Sequence, residues 1–159
     1  MQGVIVTALL ASAPIFASPT QHVVATGKTR VVSGPVQVDI RTRLATAAEN
    51  APSRATRCSG GRTACSLVDS LSISVDGKPV EIPDRAVVLL SDVASARLTR
   101  LTPNRFALIL TGGDAAASYE VRLFFDRHMI RRMEIWQGEM KMMEQAIDFH
   151  DIAEEAPNS

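Results

Sequence analysis

The sequence predicts a mainly β domain: an antiparallel meander folded into a sandwich or partly open barrel, with one short helix. Three observations carry that expectation. Leu71, Ile73 and Val75 alternate with Ser72, Ser74 and Asp76, the two-residue period of a strand with one buried face. Asp76-Gly77 follows as a pair that tolerates positive φ in a tight type I′ turn, and Val80 and Ile82 resume the alternation, so Leu71 to Pro83 reads as a β-hairpin. Four further apolar runs between residues 94 and 136 are joined by short connections, as consecutive strands of a meander are.

The chain has 159 residues, 46% of them apolar and 21% charged, which suits one domain with a real core and excludes disorder throughout. Residues 1–21 hold no charged side chain and include the apolar run Gly3 to Ala13. That run is shorter than the roughly 20 residues a membrane helix needs and matches the core of a secretory signal. A signal peptide is therefore expected over 1–17, cut after Ala17, although Met1-Gln2-Gly3 lacks the usual basic residue. A single β-rich domain is expected over 18–152 and a disordered acidic tail over 153–159. The expected location is periplasmic or secreted, with no stable membrane span after cleavage.

His22 to Val32 reads as a first strand interrupted at Thr26-Gly27. Ser33-Gly34-Pro35 makes a turn, and Val36, Val38 and Ile40 then alternate with Gln37, Asp39 and Arg41 in a second strand. Ala45 to Leu67 keeps no apolar period and reads as a long surface loop, a usual seat of binding function. After the hairpin, Asp84 is placed to cap a short helix whose Ala86, Leu89, Leu90 and Val93 share a face. Strands follow at 94–101, 106–111, 119–126 and 129–136, and the apolar residues on both faces of 106–110 make that strand central. Residues 139–150 fit a last strand or a helix; strand is preferred, and an α+β domain with a C-terminal helix is the alternative.

Cys58 and Cys65 frame the sequence CSGGRTAC. In an exported chain a lone close pair of this kind is expected to form a disulfide that tethers the loop. The spacing is not that of a CxxC redox pair. From His22 to Arg132 there are 16 Lys and Arg against 10 Asp and Glu, whereas Met133 to Ser159 has one Lys and seven acids. The body is basic and the end acidic, and 14 of the 17 basic residues are Arg, the side chain suited to bidentate carboxylate contacts. Arg54, Arg57 and Arg62, in the tethered loop, are the candidate partner-binding residues.

No GxSxG, HExxH or Cys/His arrangement is present, so no catalytic residue is assigned and the chain is read as non-catalytic; an enzyme of unknown type is a minor alternative. Gly112-Gly113-Asp114 lacks the Lys-Ser or Lys-Thr of a phosphate loop and reads as a hairpin connection. Met140, Met142, Met143 and His150 have the residue types of a Cu(I) site, the alternative to filling core gaps; otherwise no metal or cofactor is assigned. Zero net charge, export and few aromatic residues argue against a nucleic-acid ligand. The function expected from these features is that of a small exported binding protein. It would be an inhibitor, immunity-type or accessory partner of a cell-envelope protein, of unassigned oligomeric state.

Overall fold

The computed structural model describes residues 16–49, 65–113 and 118–150. They form two antiparallel sheets and one short helix, a sandwich without barrel closure. The smaller sheet takes β2 (Gly27–Ser33), β3 (Val36–Leu44), β4 (Ser66–Val75) and β5 (Lys78–Pro79) in that order. Helix α1 (Asp84–Val88) leads from it to a five-strand meander of β6 (Val93–Thr102), β7 (Arg105–Gly112), β8 (Tyr119–Phe125), β9 (Ile130–Gln137) and β10 (Met143–Asp148). The two-residue β1 (Gln21–His22) pairs with β6 and completes a six-stranded sheet in the order β1-β6-β7-β8-β9-β10.

The core follows from alternation. Leu98, Leu108, Leu123, Met133 and Ile147 stand in register across five strands on one face, with Leu110, Val121 and Ile135 in the next row. Val38 opposes Ile73 and Ile40 opposes Leu71 on the facing sheet, and all these side chains belong to one buried cluster. Because the period of a strand is two, a slip by one residue would turn the whole set outward, which fixes the register. β7 lies inside its sheet, as expected, with Ala107 buried and Ile109 half-buried on its second face.

Three expectations are corrected. The proposed first strand is divided: β1 belongs to one sheet and β2 to the other, with the change of sheet in residues 23–26. The far arm of the hairpin is only Lys78–Pro79, because the chain leaves β4 and Glu81 is taken by the opposite sheet. The Glu81 N–H donates to the His128 carbonyl at 2.7 Å, and its carbonyl accepts from the Ile130 N–H at 3.0 Å. Asp84 does not cap α1; Pro83 occupies that position, with no side-chain cap. A proline tolerates it, since a helix start has spare backbone donors to leave. The Asp76-Gly77 turn has φ of 51° and 74°, the type I′ conformation its sequence implies. Residues 143–148 are a strand, which removes the alternative with a C-terminal helix.

The two sheets are stitched at Ser66 and Asp92. The Asp92 N–H donates to the Ser66 carbonyl at 2.6 Å, and the Asp92 carboxylate accepts from the Ser66 N–H at 2.8 Å. Asp92 holds φ of 48°, a left-handed conformation that Asp adopts more readily than most residues. Beside it, the Tyr119 hydroxyl donates to the Ser91 carbonyl, while the buried Ser91 hydroxyl has no hydrogen-bond partner among the described residues. An unpartnered buried hydroxyl is a standing cost. Ser91→Ala is accordingly expected to stabilise the fold, by about 0.5 to 1 kcal/mol in urea denaturation; a loss of stability would show that the hydroxyl does have a partner.

Candidate functional site

A groove of about 560 Å³ with mixed polar and apolar chemistry lies across the strand ends of the six-stranded sheet. It reaches from the β6–β7 turn, at Leu101 and Arg105, over β8 and β9 to the end of β10 at Asp148, Phe149 and His150. Its volume falls within the range of ordinary ligand sites. Strand alternation builds it: Phe125 and Phe106 turn inward and stack with centroids 5.5 Å apart, while Phe124 turns outward, between Ala107 and Arg132 in register. Phe149 is half-buried against the edge of the core, and its N–H donates to the Arg131 carbonyl at 2.9 Å.

The charged lining is ordered by ion pairs. Arg132 donates to Glu134 at 2.9 Å and to Asp148, across the β9–β10 pair, at 2.9 Å. The Asp126 carboxylate accepts from the Arg131 guanidinium at 2.7 Å and from the N–H groups of His128 and Met129 at 2.7 and 3.0 Å. Partial burial alone would raise the Asp126 carboxyl, but the hydrogen bonds from the Met129 N–H, Arg131 and the His128 N–H outweigh it. They hold the group below the usual carboxylate range. A depressed folded-state value means that the stabilisation is complete above the unfolded-state value and disappears as pH falls through the folded one. Asp126→Asn should therefore cost about 1 kcal/mol at pH 7, allowing for solvent screening, and the gap from wild type should close as pH falls below roughly 4. Urea midpoints over pH 2 to 7 read this; a constant gap would assign the cost to packing.

Further along the same outer face, Arg122 lies 4.5 Å from the Trp136 ring centroid and donates to Glu120 at 2.6 Å. The Trp136 indole N–H donates to Glu134 at 3.1 Å, which continues the network towards the groove. At the turn end of the sandwich Arg127 donates to Asp76 and, at 3.3 Å, to Asn104, so the β8–β9 connection is tied to the two neighbouring turns.

Several of the sequence-derived candidates fall outside the described residues. Arg54, Arg57, Arg62 and Cys58 lie outside the described residues, as do residues 1–15 of the proposed signal, residues 151 and 152 and the proposed tail at 153–159; Cys65 is buried next to the start of β4. Around the proposed cut, Ala17 bridges to Thr99, and the Ser18 N–H donates to the Leu98 carbonyl at 2.8 Å. Of the clustered methionines, Met129 and Met133 are buried in the core, whereas Met140, Met142 and Met143 are exposed around the β9–β10 connection. His150 lies beyond the other end of β10, about 20 Å of extended chain from Met143. One ion could not be shared by His150 and these thioethers along that strand, and His150 instead lines the groove. Gly112 pairs with Tyr119 at the end of a hairpin, as expected for that connection, while Asp114 lies outside the described residues.

Arg105, Phe124, Arg131 and Phe149 belong to no local binding or catalytic motif. The legible signal was Phe124-Phe125, a doubled aromatic that an alternating strand must divide between its two faces. Among the described residues no group of three or more His, Cys, Asp and Glu side chains could hold a metal ion, and no helix is long and apolar enough to cross a membrane. Comparison with known proteins finds no matching family model, curated protein or solved structure.

Proposed function

We propose that the chain is an exported, non-catalytic binding protein, periplasmic or secreted, which acts as an inhibitor-type or accessory partner of a cell-envelope protein and makes contact through the groove at Phe124. The observation that supports it most is the lining itself: aromatic walls beside arginines, most of which are already positioned by carboxylates. Side chains held in place before binding lose less freedom when a partner arrives. The carboxylates of Asp126, Glu134 and Asp148 are each engaged by an arginine, which suits positioning a surface better than proton transfer. Export is supported by the apolar, uncharged start of the chain.

The test is paired affinity capture from a periplasmic extract with wild type and Phe124→Ser, whose outward side chain is only half-buried. The proposal expects a specific envelope protein on wild type and at least a roughly tenfold lower yield on the variant, as for a residue in the centre of an interface. Equal recovery on both would place recognition elsewhere.

A second reading has one observation of its own: three thioethers exposed together, at Met140, Met142 and Met143, offer soft ligands for Cu(I). Anaerobic titration against a competing Cu(I) chelator should then show metal transfer to wild type and none to a variant with all three changed to Leu. No transfer to wild type would end that reading.

A further inference from the structure

Among the described residues the groove is lined by three arginines and three carboxylates, equal in number but unevenly paired, and the pairing bears on what would occupy it; the inference rests on the groove being the recognition site. Arg131 is matched by Asp126, and Arg132 by Glu134 and Asp148. Arg105, at the first position of β7, is exposed and forms no ion pair among the described residues. Leu101 is its neighbour in the lining, with 42% of its surface exposed, and Phe124 and Phe149 supply the half-buried aromatic wall. An uncompensated guanidinium beside an apolar wall is complementary to an occupant with an apolar body and one negative charge. Guanidinium and carboxylate match through two parallel hydrogen bonds. The space, about 560 Å³, takes a few residues of extended chain and no folded domain.

We infer that the groove binds the C-terminal end of a partner polypeptide. The last aromatic or branched apolar side chain lies against Phe124 and Phe149, and the terminal carboxylate lies on Arg105. A chain terminus meets both requirements within one residue, because its carboxylate is attached to the same Cα as the apolar side chain. An internal Asp or Glu would have to thread the chain past Arg105 in both directions and would set its charge on a separate residue.

The experiment is isothermal titration of the full chain with four probes: N-acetyl-Ala-Ala-Phe as the free acid, the same peptide as the C-terminal amide, N-acetyl-Ala-Ala-Ala as the free acid, and 3-phenylpropanoate. The phenylalanine free acid should bind, and the other three at least about tenfold more weakly, the factor expected from one charge-assisted contact or one buried ring. Arg105→Gln should weaken the free acid by a similar factor, make acid and amide equal, and leave thermal unfolding unchanged. Equal binding of acid and amide to wild type would overturn the carboxylate assignment while leaving the groove as the site. Binding of 3-phenylpropanoate as tight as the peptide would overturn the polypeptide assignment in favour of small free acids. Peptide binding untouched by Phe124→Ser would overturn both the inference and the reading it rests on, and no binding of any probe would overturn the inference. Sedimentation of the protein alone as an oligomer that Arg105→Gln dissociates would give the groove to a second copy and overturn the partner.

Discussion

Gly112→Ala is expected to destabilise the protein by roughly 3 kcal/mol, equivalent to a drop of about 6 to 12 °C in the unfolding midpoint of a chain this size. The cause is contact, since Gly112 is not one of the positive-φ glycines. A Cβ added there would stand 2.5 Å from the Asp92 carbonyl oxygen and 2.7 Å from the Tyr119 hydroxyl. The first is backbone and cannot swing aside, and the second donates to the Ser91 carbonyl. Relief of the clash therefore disturbs the place where Asp92 joins the sheets through Ser66. Gly77→Ala is the control. There a Cβ would meet nothing within 4 Å, and only the φ of 74° is strained, so the expected cost is about 1 kcal/mol. Chemical denaturation of both variants checks the order; equal costs would mean that the Gly112 clash relaxes freely.

Phe125→Ala should cost about 3 to 5 kcal/mol, the range for removing a buried aromatic ring, which is a large part of the 5 to 15 kcal/mol typical of a whole domain. Phe125 is buried, stacks on Phe106 and stands in register with Ile130. Removing it takes away one ring of the stack and the support beneath the groove. Phe106→Ala should cost a similar amount, and the double variant should cost less than the two together, because the stacking contribution of about 0.5 to 1.5 kcal/mol is lost only once. Urea unfolding of the three variants gives the coupling directly; strict additivity would mean that the rings do not support each other.

Much of the architecture was legible because strands with one buried face announce themselves. Phe106, Leu108 and Leu110, and Val121, Leu123 and Phe125, are spaced by two and lie inward as that spacing implies. What was not legible depended on distant segments. Val80 and Ile82 keep the strand period, yet Glu81 bonds to the chain at His128 and Ile130, a contact that no local pattern encodes. His22 to Val32 reads as one interrupted strand, and only the position of β6 decides that its start joins the other sheet. The groove illustrates the same limit. Arg105, Phe124 and Phe149 are far apart in sequence and meet only because the meander brings the ends of β7, β8 and β10 together. Arg54, Arg57 and Arg62 are clustered in sequence, and clustering of that kind does not encode which distant residues meet; they lie outside the described residues.

Hydrogen exchange on the chain, free and bound to an envelope protein recovered in the capture experiment, tests the proposed recognition at the groove most directly. Added protection is expected in the segments that form the groove, 101–106, 124–132 and 148–150, with little change in β2 and β3 of the opposite sheet. Protection confined to β2, β3 and the 45–49 turn, with the groove unaltered, would contradict it.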